Sequence, residues 1–239
     1  MKYFFSAPSN KADILKKLGA KNFLCSYIVS PGEPKHFLGS YKSVIIDSGA
    51  FSAWNSGKEV NIEKYIEYAQ KLDPDWTYIN LDVIPKTGSS PQEIERCIEK
   101  GKENFLYIKT KLKNVLPVYH YGEKLSVLKW YMEHTDYIGI SPANDTSEKV
   151  KREFLNGVFD ITRDKIKCHG LGYSSFEGML KYPFYSIDSI SFKRSEFNGQ
   201  QVLNYDKKLE FFLIDSIKKF LRQEQYVTDV WRERGVEWK

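Results

Sequence analysis

The sequence predicts an α/β fold, a single (β/α)8 TIM barrel, and three observations carry that expectation. Short β-branched or aromatic runs alternate with amphipathic, Lys/Glu-rich segments along the chain, the order that repeated βα units require. Eight such runs are present, the strand number of that barrel. Several of them end in Asp, Gly or Ser, and the loops after the strands are where a parallel barrel keeps its chemistry. The 239 residues fit one such domain. With no Gly/Ser linker and no internal repeat, a closed barrel is expected rather than a doubly wound open sheet.

The expected strands are Tyr3–Ser6, Phe23–Tyr27, Val44–Ile46, Thr77–Leu81, Val115–Tyr119, Tyr137–Ile140, Ile166–His169 and Tyr185–Ile190. A helix over Lys11–Leu18 follows a Ser9-Asn10 cap. Ile62–Leu72 places Ile62, Tyr65, Ile66, Ala69 and Leu72 on one helical face. Pro91-Gln92-Glu93 opens a helix running towards Lys111, because proline suits a first helical turn. Lys124–Glu133, Ser147–Leu155, Phe176–Leu180 and Lys207–Arg222 complete the helices. Residues 1–225 are read as the barrel and 226–239 as a tail packed on it, carrying Trp231, Arg232, Arg234 and Trp238.

Composition narrows the class. Hydrophobic residues at 41% and aromatics at 15% exclude a disordered or fibrous chain. No run approaches the roughly 18 apolar residues of a membrane span, and the apolar part of MKYFFSAPSNKAD is too short for a secretory signal. A cytoplasmic protein with no membrane partner is expected. Cys25, Cys97 and Cys168 are odd in number and far apart, against a disulfide framework or a Cys-x-x-Cys metal site. No metal and no cofactor are expected. The net charge of +5 concentrates partly in Lys109–Lys113, Lys149–Arg152, Lys193-Arg194 and Arg232–Arg234, a candidate phosphate-facing surface. Such runs are also ordinary solvated helix faces.

Read in order, the strand ends offer Asp47-Ser48-Gly49, Asp82, His120 with Gly122, Gly139-Ile140-Ser141, Gly170-Leu171-Gly172 and Asp188. Asp47 and Asp188 each close an apolar run, with Phe51 beside one and Lys193-Arg194 beside the other. Two carboxylates brought together suit cleavage of a glycosidic bond. A single Asp at such a place is equally a helix cap, and a single His a structural one. Cys168 and His169 are adjacent in a strand and so point to opposite faces, which makes their pairing accidental.

These blocks resemble the tRNA-guanine transglycosylases, barrel enzymes that replace a base in nucleic acid. That family's strand-end D-S-G-G-F-Q is similar to Asp47-Ser48-Gly49-Ala50-Phe51-Ser52. Its G-V-G, helix and F-D-C-V-x-P-T-R are similar to Gly170-Leu171-Gly172, Phe176–Leu180 and Ile187-Asp188-Ser189-Ile190-Ser191-Phe192-Lys193-Arg194. The resemblance implies Asp188 as nucleophile on the sugar, Asp47 as the proton-handling group at the base, Asp82 on the base edge and Phe51 stacked on a flipped base. It places Ser48, Gly49, His120, Gly139, Ile140 and Gly170 among the substrate contacts. Lys193 and Arg194 are candidates for the flanking phosphate.

The family's zinc-binding cysteines and histidine have no counterpart after Asp188, so no zinc subdomain and no tRNA-binding appendage are expected. His120-Tyr121-Gly122 and Gly139-Ile140-Ser141-Pro142 replace the family's base-contacting sequences. These departures favour DNA carrying an unusual base over tRNA as partner. The base is excised if water takes the sugar and exchanged if another base does. Related zinc-less barrels associate this chemistry with phage DNA modification, or with defence against it. A tRNA base-exchange enzyme, a non-catalytic nucleic-acid-binding barrel and an enzyme on a small sugar or nucleotide are the other readings.

Overall fold

The computed structural model describes residues 1–8, 11–41, 43–85, 88–142, 146–163, 165–193 and 205–238, with side chains from residue 210 in the last stretch. In chain order the first elements are β1 (Lys2–Ser6), α1 (Ala12–Lys17), β2 (Asn22–Ser26), β3 (Ser43–Asp47), α2 (Ala50–Asn55), α3 (Ile62–Ala69) and β4 (Thr77–Ile79). They continue with α4 (Pro91–Lys109), β5 (Val115–Leu116), β6 (Val118–His120), α5 (Leu125–His134), β7 (Tyr137–Ser141) and α6 (Glu148–Thr162). The last are β8 (Lys167–Gly170), α7 (Phe176–Lys181), β9 (Ser186–Ser189) and α8 (Tyr205–Glu233), with 3₁₀ turns at Glu33–Phe37 and Ser191–Lys193. Strands alternate with helices and pair in parallel, an α/β fold of the TIM-barrel-like class.

The chain divides into two compact units, residues 1–22 with 119–239, and residues 23–118. In the first, strands follow the order β1-β9-β8-β7-β6. Phe4 pairs with Asp188, His169 with Ser186, and Gly139 with His169. Its core gathers Tyr3, Phe5, Leu128, Ile138, Leu155, Phe184 and Ile187, all buried. In the second unit the order is β5-β4-β3-β2, with Ile45 opposite Thr77 and Tyr78 opposite Val115. Here Phe23, Phe37, Tyr65, Trp76, Phe105 and Leu116 are buried, and Phe23 stacks on Phe37 with centroids 4.4 Å apart.

Local chemistry explains where elements start. Asn61 caps α3 by accepting from the Lys64 amide at 3.0 Å, and Tyr65, Ile66 and Ala69 of the expected face are buried. Ser90 and Glu93 form a reciprocal capping box ahead of Pro91 in α4, satisfying donors the first turn would leave orphaned.

Several boundaries differ from expectation. Nine strands are found among the described residues because the run Val115–Tyr119 is two, split at Pro117, which has no N–H for a ladder. Helix α2 is unexpected, α6 continues beyond Leu155 to Thr162, and the Ser9-Asn10 cap lies outside the described residues. The longest discrepancy is α8, which runs through the expected end at Arg222 to Glu233. Leu213, Ile217, Phe220, Val227 and Trp231 are buried along it at spacings of four, three, seven and four, one helical face, so the start of the expected tail is helix. Trp231 donates its indole N–H to the Met179 carbonyl at 2.8 Å, and Trp238 donates to that of Pro183 at 3.2 Å.

Glu224 occupies that same buried stripe. Its Oε1 accepts from the Tyr3 amide at 3.2 Å and from Asn22 Nδ2 at 3.0 Å. Burial raises its carboxyl above the ordinary 4.5. An acid raised on folding binds its proton more tightly in the native state. Stability therefore falls as pH rises from the unfolded value through the folded one, and the deficit is complete above both. Glu224→Gln keeps the oxygen that accepts both bonds and removes the buried charge. It is expected to raise Tm at pH 7, and that gain should vanish below pH 4, as thermal melts at the two pH values would show.

Candidate active site

In the first unit, parallel register and side-chain alternation put Ser6 of β1, His169 of β8, Ser186 and Asp188 of β9 and Tyr137 of β7 on one face. They are hydrogen-bonded to one another. The Asp188 carboxylate, 7% exposed, accepts from the Ser6 hydroxyl on Oδ2 at 2.6 Å. Its Oδ1 accepts from the Gly172 amide at 2.9 Å and lies 3.2 Å from His169 Nε2. The other imidazole nitrogen, Nδ1, is 2.6 Å from Ser186 Oγ, which is 2.5 Å from the Tyr137 hydroxyl. Phe4 packs edge-on against the His169 ring, with centroids 5.7 Å apart.

Gly139, Ile140 and Gly170 are buried in the strands that carry this cluster; Gly139 shares its face, while Ile140 and Gly170 pair with each other on the opposite face. A Cβ on Gly170 would come within 3.0 to 3.2 Å of Phe184, Tyr173 and Ile187, so a larger residue here would require those side chains to shift by a few tenths of an ångström. Gly139 stands opposite His169 and adds no side chain there. His120, half-buried, has its backbone N–H bound by Glu123 Oε2 at 3.1 Å. Lys193 donates to the Ala7 carbonyl and lies over the Phe192 ring at 5.7 Å. Arg194 lies outside the described residues.

In the second unit, Asp47 ends β3 and its Oδ1 accepts from the Gly49 amide at 3.1 Å. The Ser48 hydroxyl, buried, donates to the Asn80 carbonyl at 2.8 Å, while Asn80 Nδ2 donates to Asp82 Oδ1 at 2.9 Å. The blocks after β3 and β4 are thereby joined through Asn80. Tyr65 reinforces the join by donating to the Ile79 carbonyl at 2.8 Å, with that of Ile46 at 3.3 Å. Its phenol is held well above the ordinary value, first by burial and then by the Asp47 charge. Phe51 is 63% exposed on α2 and stacks beside Trp54 at 5.9 Å, an aromatic surface open to a planar ligand.

The sequence-expected residues thus fall into two groups. Asp188 with Gly139, Ile140 and Gly170 belongs to one, and Asp47, Ser48, Gly49 and Asp82 to the other. Sequence reasoning missed Ser6, Tyr137 and Ser186 altogether and set His169 aside. Its opposite-face argument holds all the same. Burial drives the Cys168 thiol up to about 12, so it stays protonated and inert at neutral pH, while His169 reaches Asp188 from the other face. The available signal was the pattern of Ser186 and Asp188, two polar residues two apart inside a buried strand.

Among the described residues, no group of three or more His, Cys, Asp or Glu is placed to hold a metal ion, and no helix is long and apolar enough to cross a membrane. Fold and site together define a TIM-barrel-like α/β protein with a buried, hydrogen-bonded carboxylate at a strand end. No family model matches the chain, and no curated protein sequence matches it.

Proposed function

We propose that this protein cleaves the N-glycosidic bond of a modified base in DNA, with Asp188 as nucleophile. The observation that carries the reading is the Asp188 carboxylate, held by three groups from two other segments of the chain, β1 and β8 with its following turn, at the C-terminal end of a parallel strand. A base stacked inside a duplex keeps its glycosidic bond out of reach of a buried carboxylate, so the target base is flipped out or already single-stranded. Asp188 attacks C1′, the C1′–N bond breaks, and the electron pair leaves with the base. A sugar ester of Asp188 remains. Water or a second base then attacks C1′, and the C1′–O bond breaks to restore the carboxylate.

Proton transfer to the departing base, and from the incoming nucleophile, is assigned to Asp47 in this proposal. Asp47→Asn is expected to lower base release by roughly 10²- to 10⁴-fold, the range of general acid–base contributions. Unchanged release rates would remove Asp47 from the reaction.

The direct test is incubation of the purified protein with hypermodified phage DNA, unmodified DNA and tRNA, with released bases measured by mass spectrometry. Release from modified DNA with alkali-labile abasic sites supports excision, and incorporation of a labelled free base supports exchange. Release from tRNA alone would move the proposal to RNA. Release from none of the three would overturn it.

A further inference from the structure

We propose that His169 is a positioning residue: a neutral imidazole, protonated on Nε2, that holds Asp188 Oδ1 and leaves Oδ2 as the attacking oxygen. The inference rests on the proposed glycosidic reading for the word "attacking" and on geometry alone for the rest.

Proton accounting fixes the direction of every bond. An ionised carboxylate only accepts, so the 3.2 Å contact requires a proton on His169 Nε2. On the other side, Nδ1, the Ser186 hydroxyl and the Tyr137 hydroxyl form a triangle with sides of 2.6, 2.5 and 3.4 Å. With Nδ1 unprotonated, Tyr137 donates to Ser186 Oγ and Ser186 donates to Nδ1. Two protons meet two acceptors. With Nδ1 also protonated, three protons would share two hydroxyl oxygens, and one would be stranded in a site where His169 and Ser186 are fully buried. Burial also raises the Tyr137 phenol, which keeps its proton in place as the first donor of the row.

Each donor in this row points towards Asp188, and such chains polarise one another in a low-dielectric interior. The consequence at the carboxylate is asymmetric. Oδ1 receives two bonds, from His169 and the Gly172 amide, which fill its two lone-pair sites. Among the described residues Oδ2 receives one, from Ser6, and retains a lone pair for C1′. After attack at Oδ2, Oδ1 is the ester carbonyl, still bound by the same two donors. When the C1′–Oδ2 bond breaks, the returning electron pair is shared onto an oxygen those donors already address. His169 therefore assists departure of Asp188 from the sugar without touching the substrate.

Nitrogen-15 NMR of histidine-labelled protein at neutral pH tests this. The chain has four histidines, and the His169 signal is the one lost in His169→Gln. The expected spectrum has a protonated Nε2 and an unprotonated Nδ1, and Asp188→Ala should abolish this single-tautomer pattern by removing its acceptor. An imidazolium, or a proton on Nδ1 alone, overturns the proposal. On whichever nucleic acid supports base release, His169→Ala should reduce kcat with KM unchanged, while a rise in KM alone would overturn the positioning role. Should no nucleic acid release a base while the Nε2-protonated form is observed, the attacking-oxygen assignment falls together with the glycosidic reading, and the relay stands.

Discussion

Asp188→Asn is expected to abolish base release, by roughly 10⁴-fold or more, the scale on which removing a covalent nucleophile acts. The substitution removes the nucleophile while keeping the bonds to Oδ1. The asparagine Oδ1 accepts from His169 Nε2 and the Gly172 amide as the carboxylate does, at 3.2 and 2.9 Å. Its amide nitrogen takes the place of Oδ2, and the Ser6 hydroxyl, 2.6 Å away, rotates from donor to acceptor. The second amide proton and the displaced Ser6 hydroxyl proton then need new acceptors, so stability should fall by about 1–3 kcal/mol for each one left unbound, and a thermal melt shows that the variant is folded before its activity is read. Asp188→Ala strands Ser6, His169 and the Gly172 amide and should cost more, about 1–3 kcal/mol for each donor left unmade. Base release surviving in a well-folded Asp188→Asn protein would sink the nucleophile assignment.

What the sequence made legible follows from how local each signal is. Asp47 and Asp188 could be found because an apolar run ending in a carboxylate is readable within six residues. The parallel α/β class was readable for the same reason, since alternation needs only neighbouring segments. The partners of Asp188 were not, because Ser6 is 182 positions away and His169 is 19, and only the strand register brings them together. Helix α8 was cut short because Glu224 interrupts its apolar stripe. Its bonds to Tyr3 and Asn22, more than 200 residues off, are what make a carboxylate tolerable there. Helix α2 gave no signal at all, being six residues long and preceded by a glycine rather than a capping side chain.

That glycine carries the second large prediction. Gly49 has φ +78, a left-handed conformation in which a Cβ costs about 1–2 kcal/mol. A Cβ built there would also lie 2.5 Å from Ile28 Cγ1 and 2.6 Å from Ile28 Cβ. Rotation about χ1 moves Cγ1 but not Cβ, which is fixed by the backbone, so the second contact clears only if the backbone moves. Overpacking of this kind adds about 1–3 kcal/mol. Gly49→Ala should therefore destabilise by about 2–5 kcal/mol in total. For a chain of this size that is a fall in Tm of about 4–20 °C. Because the Gly49 amide binds Asp47 Oδ1, the same backbone shift should weaken the hold on that carboxylate. The two causes separate in a double-mutant cycle. Ile28→Gly removes both clashing atoms but leaves φ unchanged, so in that background the penalty of Gly49→Ala should shrink to the conformational part, about 1–2 kcal/mol. Equal penalties in the two backgrounds would mean that the sharp Asp47-Ser48-Gly49 turn is set by backbone conformation alone, with Ile28 taking no part in it.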